Sequence, residues 1–137
     1  MTPKILETEG WRCLDAAGFT GAVGPFWLLD QGEERTTGLF IEERHCNQYG
    51  TIHGGVVTTF ADIALGSGVA ALLGDQRFNC VTASLQTQFI SVGHVGEFVS
   101  CKPEVLRRTK QMLFVRGLIT VGERVIASAE GIWKQIG

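Results

Sequence analysis

Between His53 and Asp75 the only charged side chain is Asp62, and it stands in the most apolar stretch of the chain. A carboxylate there loses much of its hydration, so its pKa rises unless hydrogen-bond donors meet it; groups perturbed in this way concentrate where acid–base chemistry is done. A plainer reading is an acid facing a polar notch, bonded to Thr82 or Ser84. Directly ahead of that stretch lies Gly50-Thr51-Ile52-His53-Gly54-Gly55. The two glycines let a ligand approach the backbone closely, and a helix start leaves amides unpaired at the positive end of its dipole. Such amides can receive the negative charge that develops on a carbonyl oxygen. The same Gly54-Gly55 pair also serves as a sharp loop-to-helix turn, with His53 as a local hydrogen-bonding group. Asn47 could orient a water or donate to a carbonyl, and an Asn in a loop is also a common turn residue.

The elements that must position these groups follow from periodicity. From Gly54 to Leu73 apolar residues cover most of a helix circumference, as in a helix buried on nearly all sides. Ile5, Leu6, Trp11, Leu14 and Ala17 give an imperfect helical stripe ending at Gly18, which predicts a short surface helix from about Lys4 to Ala17. Pro25 to Leu29 and Thr37 to Ile41 flank the polar turn 30–34, as a β-hairpin does, and Glu42 to His53 reads as a loop. Phe78 to Ile90, with Val81, Ala83, Leu85 and Phe89 on one face, then Glu97 to Leu106, Met112 to Val121 and Arg124 to Ile136, predict an antiparallel meander. One buried helix with about six strands implies an α+β fold in which a strongly curved sheet wraps the helix.

A chain of 137 residues fits one domain, 1–137, and buries enough surface to need neither disulfide nor metal. A net charge of -2 gives no general attraction for nucleic acid. Cys13, Cys46, Cys80 and Cys101 are scattered without paired spacing, and read as reduced residues of a cytoplasmic protein. No secretory leader is evident, and Gly66, Ser67 and Gly68 interrupt the longest apolar stretch, so no membrane span is expected.

The pattern His45-x-Asn47-x-x-Gly50-x-x-His53-Gly54-Gly55 followed by Asp62 resembles the signature of PaaI-like hotdog thioesterases, including human acyl-CoA thioesterases of that group. Val81-Thr82-Ala83-Ser84-Leu85 and Val95-Gly96-Glu97 resemble the segments that follow, so the likeness runs from about Thr37 to the C-terminus. It implies an acyl-coenzyme A thioesterase that needs no cofactor, since coenzyme A is part of the substrate. By that resemblance Asp62 is the general base or nucleophile and the Gly54 N–H polarises the thioester carbonyl. Asn47 then positions the water or the carbonyl, Thr82 holds the nucleophile, and His53 supports the helix start. One departure is Ser91-Val92-Gly93-His94, where many relatives carry a proline.

Eight residues separate Gly54 from Asp62, about 12 Å along one helix, so one carbonyl cannot easily touch both in the same chain. If both act on one thioester, the base comes from a second copy whose helix runs antiparallel across a two-fold axis. A homodimer is therefore expected, and the resemblance extends this to a homotetramer. Gly66 and Gly68 then permit close packing somewhere along that helix. Arg107, Arg108 and Lys110 cluster at a turn, where they meet coenzyme A phosphates or simply form a solvated tip.

Other chemistries fit less well. A serine esterase needs G-x-S-x-G, and Leu65-Gly66-Ser67-Gly68-Val69 has the wrong spacing. His45, Cys46 and His53 lack the companions of a metal site. A hotdog dehydratase or hydratase would pair Asp with His at a spacing that Asp62 and His53 do not match. A non-catalytic acyl-coenzyme A binder with this fold remains a distinct alternative. Phe60, Phe89, Phe26 and Trp27 either line the acyl pocket or fill the core, which leaves aryl and fatty acyl groups undivided.

Overall fold

A computed structural model describes residues 1–136. The predicted central helix is α3, Gly54–Leu73. His53 caps its start and Gly74, at φ 92°, ends it, in a left-handed conformation that a side chain would resist. Val57, Phe60, Ala61, Ala64, Leu65, Val69 and Ala70 are buried against the sheet. By length and hydropathy this helix could cross a bilayer, but here the sheet wraps it. Burial is not as complete as the apolar pattern suggests, because Gly54, Gly55 and Thr58 stay open and Asp62 is half-buried.

The sheet has eight strands rather than about six: β1 (Arg12–Cys13), β2 (Phe26–Gln31), β3 (Glu34–Phe40), β4 (Cys80–Phe89), β5 (Phe98–Cys101), β6 (Glu104–Arg108), β7 (Met112–Val121) and β8 (Arg124–Gln135). Their order is β1-β2-β3-β5-β7-β8-β4, with β6 also on β7 and every pairing antiparallel. The expected hairpin forms with a tighter turn, since Asp30 pairs with Arg35 and Gln31 with Glu34. Pro103, which has no N–H to give the ladder, divides the expected run from Glu97 to Leu106 into β5 and β6.

Two expectations need correction. The N-terminal segment 1–18 is not one helix: α1 is Pro3–Thr8, β1 pairs Arg12 with Leu28 and Cys13 with Trp27, and α2 is Gly18–Val23. Gly10 at φ 97° breaks the helix, and the free edge of β2 offers the next residues a ladder. The last four runs are not a simple meander either, because β4 pairs with β8 at the far edge while β5 lies between β3 and β7. The chain crosses between them through residues 90–97, where Gly93 passes so close that a Cβ would stand 2.7 Å from Ile41 Cδ1.

Gly66 and Gly68 do allow close packing, but within the chain. A Cβ on Gly68 would be 2.3 Å from Pro103 Cγ, and one on Gly66 would be 3.1 Å from Trp133 Nε1.

Candidate active site

The loop ahead of α3 is held at several points. Both ring nitrogens of His45 are occupied: Nδ1 accepts from the Glu42 N–H at 3.0 Å, and Nε2 lies 2.6 Å from the Val23 carbonyl, to which it donates. His45 is therefore a buried structural residue with nothing left for a metal. Asn47 Oδ1 accepts from the Tyr49 and Thr51 amides at 2.9 and 3.2 Å, and its amide nitrogen lies 3.0 Å from Thr51 Oγ1. Asn47 thus builds the turn that carries Gly50 at φ 75°. The crossing segment joins in, because the Ile52 N–H donates to the Gly93 carbonyl at 2.9 Å and Thr51 bridges to His94. Glu97 holds that segment by accepting from the His94 N–H at 2.7 Å and from Arg124 at 2.9 and 3.0 Å.

At the helix start this scaffold leaves an amide open. The Gly55 N–H donates to His53 Nδ1 at 2.8 Å, and the Val56 and Val57 amides donate to the His53 carbonyl at 2.9 and 3.1 Å. Among the described residues the Gly54 N–H has no acceptor, and it lies exposed at the positive end of a 20-residue helix. His53 is the cap of the helix start. Phe89, at the far end of β4, brings its ring to 3.6 Å from where a Gly54 Cβ would be.

Asp62 lies two turns further along α3. Its Oδ1 accepts from Thr82 Oγ1 at 2.6 Å, so a donor does meet the carboxylate. The reason is a β-bulge: β4 keeps register with β8 as Thr82↔Trp133 and then Ser84↔Ile132, leaving Ala83 unpaired. The extra residue reverses the alternation, so Cys80 and Thr82 turn toward the helix side together with Leu85, in place of the expected Val81 and Ala83. Asp62 and Thr82 border a cavity of about 540 Å³ that runs on to Ser67, Arg35 and Asp75.

Arg35, Asp75 and Ser67 were not singled out from the sequence. The Arg35 side chain is only 6% exposed and holds Asp75 through two bonds of 3.0 Å and Asp30 through one of 2.5 Å. Arg12 adds a bond of 3.1 Å to Asp30. Burial raises the pKa of Asp30, but Arg35 and Arg12 outweigh it and hold the carboxyl below its ordinary range. The Asp75 carboxyl is held low chiefly by its bonds to Arg35. Both pKa values are depressed by folding, so these groups contribute stability above the unfolded value near pH ~4 and lose it as the pH falls through their folded values. The denaturant midpoint is expected to drop over that window, and less steeply in Asp75→Asn; equal acid limbs in the two proteins would contradict this.

Arg107, Arg108 and Lys110 are exposed at the β6–β7 tip. Register places this tip at the Thr82 end of β4, since Arg108 pairs with Leu113, Leu113 with Trp133 and Trp133 with Thr82. Phe26 and Phe60 are buried in the core with their rings 6.2 Å apart, and Trp27 is buried too; Phe89 alone of the four aromatics is exposed. All four cysteines are free. Burial pushes the Cys101 thiol up to about 12 and raises those of Cys46 and Cys80, so these three stay protonated and poorly nucleophilic. Among the described residues no cluster of His, Cys, Asp and Glu could hold a metal ion.

A curved antiparallel sheet closed around one long helix, with the helix start and a mid-helix carboxylate left accessible, defines a hotdog domain. The chain belongs to the thioesterase superfamily, matching the family over residues 49–128. A Pseudomonas aeruginosa protein, PA0474, provisionally named an esterase, is 33% identical over 112 residues, which cover 81% of this chain and 83% of that protein. Among solved structures, the conserved protein PA5202 of Pseudomonas aeruginosa superposes with a TM-score of 0.80 at 22% identity, over 88% of this chain and 95% of its own. The Escherichia coli PaaI protein of the phenylacetic acid degradation operon gives 0.74 at 18% identity, over 86% and 83%. A Streptococcus pneumoniae hypothetical thioesterase solved with coenzyme A gives 0.70 at 16%, over 82% and 86%. The chain is thus a hotdog-fold member of the thioesterase superfamily.

Proposed function

We propose that this protein hydrolyses acyl-coenzyme A thioesters at sites shared between two copies of the chain. The observation that carries the reading is the pair formed by an unpaired helix-start amide at Gly54 and a carboxylate at Asp62, on one helix but about 12 Å apart.

Strand β4 supplies the means of bringing them together. It is an edge of the sheet, ten residues long, uncharged and largely exposed. Natural edges are usually blunted, so such a strand is suited to pairing with another. One end of β4 carries Thr82 and with it Asp62; the other carries Phe89 and with it Gly54. Antiparallel pairing of two copies about the midpoint near Leu85 and Gln86 places residue 89 of each beside residue 82 of the other. The Gly54 N–H then faces Asp62 of the partner subunit.

In the reaction, Asp62 takes a proton from water as its oxygen attacks the thioester carbonyl. The developing oxyanion is met by the Gly54 N–H of the other copy. The C–S bond then breaks, the thiolate leaves with a proton, and the acid is released. Direct attack by Asp62 to give an anhydride that water then opens yields the same products. Thr82 and His53 act as positioning residues, and Asn47 shapes the loop that aims the amide. Arg107, Arg108 and Lys110 reach toward the phosphates of coenzyme A, in keeping with the coenzyme A found in the pneumococcal relative. No cofactor takes part, and the free cysteines suit a cytoplasmic enzyme. The outer face of the sheet, with a groove of about 730 Å³ around the exposed Leu118, is the surface on which two dimers would pair as a tetramer.

The test is release of free thiol from a panel of acyl-coenzyme A compounds, joined to subunit complementation. Asp62→Asn and Gly54→Pro, each inactive alone, are co-expressed. Half of randomly formed dimers are mixed and each of these carries one intact site, so about a quarter of wild-type specific activity should return. No recovery in isolated mixed dimers would place both groups in one chain and end the shared-site reading.

A further inference from the structure

We infer that the cavity beyond Asp62 takes the acyl group and selects short acyl groups with a neutral hydrogen-bond acceptor at their far end; this rests on the hydrolytic reading above.

The cavity is a slot of about 540 Å³ along α3, with Asp62 and Thr82 at one end and Ser67, Arg35 and Asp75 at the other. Its walls between are apolar, formed in part by Ile63, Phe78 and Trp133. Gly66 keeps it wide, since a Cβ there would come within 3.1 Å of Trp133 Nε1. The far end is bounded by Arg35, more than nine-tenths buried and fixed by Asp75 and Asp30, whose carboxylates face solvent. Arg35 Nη1 also donates to Ser67 Oγ at 3.4 Å, which leaves the Ser67 hydroxyl hydrogen free to donate into the slot.

The charges decide what fits. Arg12 and Arg35 are matched by Asp30 and Asp75, so the far end is neutral overall, while the near end carries the Asp62 carboxylate. A terminal carboxylate therefore finds no uncompensated cation. An alkyl terminus covers the Ser67 hydroxyl without bonding to it. A neutral acceptor such as a hydroxyl oxygen bonds to Ser67 and leaves the ion pairs undisturbed. Ser67 is five residues beyond Asp62, about 7.5 Å along the helix, so a long fatty chain runs into the Arg35 cluster.

The experiment compares hydroxypentanoyl-coenzyme A, hydroxylated on its terminal carbon, with hexanoyl-, adipoyl- and palmitoyl-coenzyme A by thiol release. Calorimetry reads binding of the matching non-hydrolysable thioethers. The hydroxyl-ended compound is expected to exceed hexanoyl by about tenfold in kcat/KM and in affinity, with adipoyl and palmitoyl lower still. In Ser67→Ala, with an unchanged melting curve, the hydroxyl-to-methyl ratio should fall to about one. A palmitoyl preference, or a ratio that survives Ser67→Ala, overturns the inference while leaving the hydrolase reading intact. Thioether binding with the expected preference but no thiol release overturns the hydrolase reading and keeps the slot assignment. Absence of both binding and release overturns both.

Discussion

Asp62→Asn is expected to lower kcat by about a thousandfold while the fold and the affinity for acyl-coenzyme A remain. The replacement has the same shape, and its amide oxygen can still accept the hydrogen bond from Thr82 that now ends on Oδ1 at 2.6 Å. What it cannot do is accept a proton from water or attack a carbonyl. Positioned general bases contribute roughly 10² to 10⁴ in rate, and a carboxylate acting as nucleophile contributes no less. The measurement is kcat by thiol release, beside affinity for a non-hydrolysable thioether. A kcat within tenfold of wild type would remove Asp62 from the chemistry, and unchanged thioester consumption would favour a binding protein over an enzyme.

Gly54→Pro should cost about 10² to 10³ in kcat with no loss of thermal stability. The helix start makes this substitution unusually clean. Gly54 occupies the first helical position, where proline is favoured because its missing N–H is an orphan anyway. His53 already holds φ −65° and ψ 136°, which the residue before a proline requires. The side-chain carbon would meet Phe89 at 3.6 Å, an ordinary contact. Only the donor is lost. Gly54→Ala keeps the N–H and makes the same contact, so its kcat should fall far less; equal losses in the two variants would mean that bulk, not the amide, is what matters.

The central helix was legible in the sequence because its signals are local: a glycine pair at the start and apolar residues around most of the circumference from Gly54 to Leu73. The pairing of Asp62 with the strand after it was half legible. Thr82 and Ser84 share the face opposite Val81 and Ala83 in a simply alternating strand, and what turns Thr82 toward the helix is a bulge that exists only where β4 meets β8, some fifty residues away. The N-terminal segment misled because a weak helical stripe competes with a ladder offered by β2, and only the folded sheet supplies that ladder. The edge position of β4 was hidden for a similar reason, since neighbours in sequence need not be neighbours in a wrapped sheet. Arg35 gave no sign of burial, because its carboxylate partner Asp75 is forty residues distant.

The uncharged border strand has a thermodynamic corollary. If its backbone groups are satisfied only by a twin, then monomer folding and partnership form one equilibrium, and the melting temperature should climb with protein concentration. Dilution would then extinguish specific activity and unravel the protein over the same concentration range, since on the proposed arrangement each reaction centre vanishes when the two molecules part.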